Sequence, residues 1–379
     1  MSQPKKTNKA IKICFVALVG YPLLSGKVPE DIKGPAVHQT LLAKELVKHD
    51  FVISYITYDE GGPPVEHING IEIIKTYRLT DISRLNPISK AFRIWKAMRK
   101  AKADIYFYHG GASGVVPLFC RLMRKKFVYN IASDAYVSRQ TRDFKLVDRF
   151  GHWLDIKLAN TIIAMNEFQK NGLKQNFGRE SVVIRNHFPL TRREIPEKAK
   201  PPIVLRVGSM SNTKNPALFL RLAEAMPEEV FQMIGGMGDD QALYNVIKKR
   251  ARRIPNLEFL GVIPFSEINE YYSRAAILVN TSAFESYPPY AFIQAWMNYT
   301  PVVTLNCNPD ASATMHKNKM GLHSRTFEQL VKDVKTLLEN EQLRKEMGEN
   351  ARRYVEKNHD ITKIVKQHVE VLNKLAGLR

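Results

Sequence analysis

Short, mostly apolar runs alternate with longer amphipathic segments along most of this chain. The runs at 11–19, 51–57, 70–77, 104–108, 127–131, 161–164 and 181–184 have the near-continuous apolar character of strands buried on both faces. Between the first two, residues 37–49 place Leu41, Leu42, Leu46 and Val47 on one face of a helix. A second helix is predicted over 87–102. Ile88, Phe92, Trp95 and Met98 recur there at helical spacing and form the expected buried stripe, while Lys90, Arg93, Lys96, Arg99 and Lys100 fill the other positions. Four prolines and many charges in 188–202 break the pattern. A second series of strands follows at 203–207, 231–234, 257–260, 276–279 and 302–305, and the chain reads as helical from about 328 to its end. Strands alternating with helices imply an α/β fold with parallel sheets covered on both faces, built twice. The expected domains are 1–190, joined by the final helix at 361–379, and 203–360, with 191–202 as the linker.

Composition fits that division. A chain of 379 residues that is 44% hydrophobic has room for two cores. The first ten residues, MSQPKKTNKA, are polar and basic and do not read as a signal peptide. Cys14, Cys120 and Cys307 are scattered without metal-binding or disulfide spacing, which suits a reducing cytoplasm. The net charge of +20 is uneven: residues 1–190 hold 30 basic and 16 acidic side chains, the remainder 27 and 21. Such a balance attracts polyanions, whether nucleic acid, anionic membrane or phosphorylated substrate. No RNP, zinc-finger or helix-turn-helix pattern appears, so nucleic acid is not the expected partner.

The densest chemistry lies in 280–310. An apolar strand leads into a loop carrying Glu285 and the pair Pro288-Pro289, then a helix starting near Pro289, then another buried strand. A helix that begins just past a parallel strand points its free N–H groups at the crevice where anions bind. Glu285 and Gln294 flank that helix start, a layout suited to the hydroxyls of a sugar and a ribose.

Glu285-Ser-Tyr-Pro-Pro-Tyr-Ala-Phe-Ile-Gln294-Ala resembles the E-G-F-P-x-x-x-x-E/Q-A signature of retaining glycosyltransferases with a Glu-x7-Glu motif, the family 4 and group 1 glycosyl transferases. Three departures stand out: Gln294 replaces the second Glu, Ser286 replaces the Gly, and the spacing is one residue longer. Either the loop bulges at Pro288-Pro289, or Ser286 takes the place of the first Glu. The resemblance runs through nearly the whole chain. It implies the GT-B fold, two facing Rossmann-like domains with a deep interdomain cleft and a C-terminal helix crossing back to the first domain.

The resemblance also implies roles. Gly34, before Pro35, corresponds to the glycine-rich loop facing the donor phosphates, here without a second glycine. His109, followed by Gly110-Gly111, matches a histidine that touches the donor sugar. In Arg206-Val-Gly-Ser-Met-Ser-Asn-Thr-Lys214, relatives carry two cations for the diphosphate; Lys214 fits the second, and Ser209 stands where an Arg is usual. Gly235 belongs to a turn flanking the cleft, and the backbone of Val262 and Ile263 to the turn that meets the nucleobase. The N–H groups of Tyr290 and Ala291 would join Lys214 on the diphosphate, Glu285 would orient sugar hydroxyls, and Gln294 would bind the ribose. His109, Glu285 and Lys214 are thus the expected catalytic residues. A nucleotide-diphosphate sugar is the implied co-substrate, with no cofactor and no essential metal. A glycan or lipid-linked acceptor is implied as well. The charges of the helix at 87–102 form either a solvated face of a cytoplasmic protein or, with Arg121, Arg124, Lys125 and Lys126, a surface that docks on anionic lipid at the inner face of a membrane. Another GT-B activity, an epimerase or a phosphorylase, and a non-enzymatic polyanion-binding protein remain the alternatives at this point.

Overall fold

The computed structural model describes residues 10–28, 31–138, 145–190, 194–238, 240–283, 285, 288–306 and 309–377. Ser286 and Cys307 lie outside them. The chain divides into two compact units. One comprises residues up to Leu24, His38–Ile184 and the chain from Val365 onward; the other comprises Ser25–Val37 and Arg185–Ile364.

In the first unit, β1 (Lys12–Val16), β2 (Val52–Thr57), β3 (Val65–Ile68), β4 (Ile71–Lys75), β5 (Ile105–Gly110), β6 (Lys126–Ile131), β7 (Thr161–Ala164) and β8 (Val182–Val183) form one sheet. Its order is β3-β4-β2-β1-β5-β6-β7-β8. All neighbours pair parallel except β3 and β4, a hairpin the apolar pattern did not mark. Asn69 and Gly70 make its turn with φ of 51° and 79°, the doubly left-handed geometry that fits a two-residue hairpin. The central strands are buried on both faces, with Phe15, Tyr106, Phe107 and Tyr129 fully enclosed. Cys14 and Cys120 are buried and unpaired, as core thiols.

The helices, in chain order, are α1 (Tyr21–Ser25), α2 (Gly34–Leu46), α3 (Pro87–Ala101), α4 (Val115–Leu122), α5 (Leu146–Leu158), α6 (Glu167–Phe177), α7 (Pro216–Ala225), α8 (Gln241–Ala251), α9 (Ile268–Arg274), α10 (Tyr290–Met297), α11 (Pro309–Lys317), α12 (Phe327–Glu339), α13 (Glu341–Asn358) and α14 (Ile361–Ala376). Helix α3 corrects the expected stripe. It buries Ala97, Met98 and Ala101, whereas Ile88 is 81% and Phe92 67% exposed. The buried arc is Ile94-Ala97-Met98-Ala101, an equally good helical repeat whose alanines let the helix approach the sheet closely. Trp95 packs edge-on against Phe119 with ring centroids 4.9 Å apart.

The second unit's sheet contains β9 (Ile203–Val207), β10 (Val230–Ile234), β11 (Leu257–Gly261), β12 (Ile277–Asn280), β13 (Val302–Thr304) and β14 (Gly321–His323). Its order is β11-β10-β9-β12-β13-β14, with every pair parallel. The two doubly wound sheets are the α/β architecture expected from the alternating pattern. Strand order reverses between β9 and β12, so the loops leaving these two strands meet at the sheet's carboxyl edge, where such folds bind ligands.

Candidate functional site

The loop after β9 ends in a single 3-10 turn, Asn212–Lys214, and the loop after β12 carries Glu285. Main-chain and hydroxyl contacts stitch the two together. Ala283 N–H donates to the Thr213 carbonyl at 2.8 Å, and the Thr281 hydroxyl faces the carbonyls of Lys214 and Asn215 at 3.1 and 2.9 Å. Beneath them lies Arg206, a charge inside an apolar strand and only 3% exposed. Its guanidinium donates to the carbonyls of Gly208 (2.9 Å), Ser209 (3.2 Å) and Lys214 (3.3 Å). These bonds offset much of the cost of burying the charge. Burial pushes the Arg206 pKa down to about 10, against the opposing pull of the Glu285 carboxylate, so the side chain stays cationic at neutral pH. Arg206 therefore acts on this site as a clamp on the loop that presents Lys214. Reading it as a strand residue captured its place but missed this role; the signal was one charge within Ile-Val-Leu-Arg-Val.

Lys214 Nζ and Glu285 Oε1 form an ion pair, and the Ser282 hydroxyl lies 2.7 Å from the same oxygen. The Glu285 side chain is 10% exposed and that of Lys214 31%. The structure thus brings together two residues that are 71 positions apart in sequence. Asn186 holds the far side of the Glu285 loop, donating from Nδ2 to the Pro288 carbonyl at 3.0 Å.

Helix α10 follows directly. Pro289 precedes it in an extended conformation, and the first-turn amides at Tyr290 and Ala291 have no carbonyl four residues back within the helix. Gln294, on the next turn, is 6% exposed, and its Nε2 has no hydrogen-bond partner among the described residues. A buried amide left in that state costs about 1–3 kcal/mol, so it marks a place where a polar group is wanted.

The other expected donor residues of this unit surround the same edge. Gly235, with φ of 157°, ends β10; a Cβ there would stand 1.9 Å from the Gly208 carbonyl oxygen, so only glycine fits. Its N–H donates to the Gly261 carbonyl at 2.8 Å, tying the β10 turn to the β11 turn that leads into half-buried Val262 and Ile263. Ser209 is half-buried beside Gly238 and offers its carbonyl to Arg206. Gly34 lies against Tyr290, where an added Cβ would meet the ring at an ordinary 3.7 Å.

His109 belongs to the first unit, near the carboxyl end of β5. It is 3% exposed, with its main chain bonded in both directions to the Gln39 amide at 3.2 and 3.3 Å. The ring's Nδ1 lies 3.0 Å from the Asn130 carbonyl, which can only accept, so Nδ1 carries the hydrogen and Nε2 is left as an acceptor. Burial drives its pKa down to about 4, with the Asn130 carbonyl opposing, and the ring is neutral at physiological pH. The His38 ring lies tilted against it with centroids 4.4 Å apart, and its Nε2 faces the Asn130 Nδ2 at 2.8 Å, so a histidine–amide cluster, not a lone histidine, supports this strand end.

Known proteins converge on one family. Residues 32–192 match the sequence model of Glycosyltransferase Family 4, and residues 188–354 that of Glycosyl transferases group 1. An uncharacterized glycosyltransferase of Methanocaldococcus jannaschii is 22% identical over 333 residues, covering 81% of this chain and 83% of that protein. Among solved structures, sucrose-phosphate synthase from Thermosynechococcus elongatus is similar with a TM-score of 0.78 at 15% identity, covering 97% of this chain and 99% of the other. HepE of Anabaena, solved in complex with UDP-glucose, gives 0.74 at 15% identity, covering 96% and 100%. WaaG, a glycosyltransferase involved in lipopolysaccharide biosynthesis, gives 0.67 at 14% identity, covering 95% and 99%. At these identities the structures speak for the fold.

Proposed function

We propose that this chain, which belongs to the family 4 and group 1 glycosyltransferases, is a retaining enzyme that moves a sugar from a nucleotide-diphosphate donor to a glycan or lipid-linked acceptor. The observation that carries the reading is the Lys214–Glu285 pair where the β9 and β12 loops meet, beside the start of α10. Transfer requires stabilising a leaving diphosphate and orienting a sugar whose anomeric carbon becomes positive. Lys214 and the first-turn amides of α10 supply positive potential for the diphosphate. Glu285, held by Ser282 from below, accepts hydrogen bonds from sugar hydroxyls. Gln294 offers its unpartnered Nε2 to a ribose oxygen. The resemblance gives His109 the sugar contact, for which a neutral ring with a free Nε2 acceptor is chemically suited. A metal has no part in this reading, because Lys214 and the amides take the charge-neutralising role.

A lipid-linked acceptor draws support from α3, whose exposed Ile88 and Phe92 lie among Lys90, Arg93, Lys96, Arg99 and Lys100. No helix among the described residues is long and apolar enough to cross a membrane, so attachment would be peripheral, through apolar side chains and roughly 1 kcal/mol per cation near anionic lipid. Turnover of UDP-, GDP- and ADP-sugars with the product anomer read by proton NMR tests the reaction. An α-linked product from an α-linked donor fits retention; an inverted anomer refutes it. Salt-sensitive co-sedimentation with anionic vesicles, reduced by Arg93→Gln, Lys96→Gln and Lys100→Gln together, tests the attachment; equal partitioning to neutral vesicles dismisses it.

A further inference from the structure

Two neighbouring strand ends lead into the Glu285 loop. Asn280 closes β12 and Thr304 closes β13, and the two are partners in the parallel register. The Thr304 hydroxyl lies 3.0 Å from the Asn306 carbonyl, which can only accept, so its hydrogen is spent there. Thr304 Oγ1 is then an acceptor toward Asn280, whose amide, 3.1 Å away, must present Nδ2 to it. That fixes the other end of the amide. Asn280 Oδ1 faces Ser282, 2.7 Å from its hydroxyl oxygen and 3.4 Å from its N–H. Ser282 and Thr304 are both buried, so bulk solvent does not serve these oxygens.

The Ser282 hydroxyl has one hydrogen and two acceptors, Asn280 Oδ1 and Glu285 Oε1, each 2.7 Å away. Whichever acceptor takes the hydrogen, the other is left facing an oxygen lone pair at close range. While Glu285 is in its ion pair with Lys214, the charge-assisted bond to the carboxylate is the stronger. Asn280 Oδ1 then keeps only the long contact to the Ser282 N–H. The amide is thus held as an acceptor for a hydrogen that the paired state sends elsewhere. The same ion pair occupies both groups that glycosyl transfer needs, Lys214 for the diphosphate and Glu285 for the sugar hydroxyls, so it has to open when the donor engages.

We infer that Asn280 and Ser282 are positioning residues that act through Glu285 as a two-position latch on the donor site. In the closed position Ser282 gives its hydrogen to Glu285 and helps to hold the Lys214–Glu285 pair. When sugar hydroxyls donate to Glu285 and the diphosphate draws Lys214 away, the same hydrogen turns to Asn280 Oδ1. The bond that Ser282 loses on opening is replaced by one whose acceptor is already in place, which lowers the cost of engaging the donor. At Ser282 the change is a rotation of one hydroxyl hydrogen. Thr304 keeps the Asn280 amide turned the right way for it. The inference rests on the glycosyl-transfer reading and deepens it.

Its test uses the full chain and whichever of UDP-, GDP- and ADP-glucose it binds and turns over. Asn280→Ala removes the second acceptor, so the hydrogen stays on Glu285 and the closed pair is favoured. The donor Kd, read by calorimetry, should rise roughly tenfold, with kcat changed less. Adding Ser282→Ala removes the hydrogen that holds the pair closed and should recover part of that loss. A merely structural role gives the opposite result, because a second truncation would only add damage. Thr304→Val frees the amide to turn Nδ2 toward Ser282; it should act as Asn280→Ala does, and it carries the test if that variant does not fold. A Kd within about twofold of wild type in both Asn280→Ala and Thr304→Val, or a double variant that binds more weakly than Asn280→Ala alone, overturns the latch even though Lys214→Ala and Glu285→Gln are impaired. Wild-type turnover in Lys214→Ala and Glu285→Gln, or no binding of any of the three donors, is a failure of the transfer reading itself, and the latch falls with it.

Discussion

Lys214→Ala separates chemistry from folding at one residue. The side chain is about a third exposed and its ion pair with Glu285 is part-buried, so the pair contributes at most about 1 kcal/mol to stability. Truncation leaves the scaffold alone, because Arg206, Thr281 and Ala283 hold this loop through its carbonyls and not through the Lys214 side chain. Glu285 keeps the Ser282 hydroxyl. What is lost is a cation aimed at the leaving diphosphate, and removal of one such preorganised contact costs on the order of 2–4 kcal/mol of transition-state stabilisation. That corresponds to a fall in kcat/KM of roughly 30-fold to nearly a thousandfold. The assay is release of nucleoside diphosphate from the preferred donor, with melting temperature measured on the same preparation. Lys214→Arg should recover part of the loss, since it restores charge but not geometry. A kcat/KM within about threefold of wild type at unchanged melting temperature would remove Lys214 from the site.

Other outcomes follow from the same geometry. Glu285→Gln is expected to lose about a hundredfold in kcat/KM with little change in melting temperature; if Ser286→Ala is the damaging change instead, the motif register runs through Ser286. Arg206→Met leaves the carbonyls of Gly208, Ser209 and Lys214 without their donor, and urea unfolding should show a loss of about 3 kcal/mol; native-like stability would dismiss the clamp. His109 and His359 both have folded pKa values lowered by burial to about 4, against roughly 6.5 when unfolded. The unfolded chain therefore binds the extra protons between these values. Each ring's contribution is whole above pH 6.5 and drains away as pH falls through 4, by about 3 kcal/mol per ring; a flat stability profile across that window would contradict their burial as neutral rings.

Much of the fold was legible because parallel strands buried on both faces leave continuous apolar runs, as in Ile203–Val207 and Ile277–Asn280. What escaped was short or ambiguous. Strand β14 has three residues, too few for a pattern. The β3–β4 hairpin was announced only by Asn69-Gly70. In α3 two helical arcs compete, and only packing selects the alanine-rich one. Within the site, Lys214 and Glu285 were readable from local motifs, but their pairing depends on the strand reversal at β9 and β12. The roles of Arg206, Thr281 and Asn186 were hidden for a different reason. Their partners are main-chain carbonyls, which carry no residue identity until the loops are folded.

The most direct test of the central claim is a thermal-shift titration of the full chain with UDP-, GDP- and ADP-sugars. A donor at a hundred times its dissociation constant adds about 2.7 kcal/mol of stability. At least one nucleotide sugar should raise the melting temperature in a saturable way, and Lys214→Ala should weaken that response. No shift with any nucleotide sugar, or an equal shift in Lys214→Ala, would contradict a donor site built on Lys214 and Glu285.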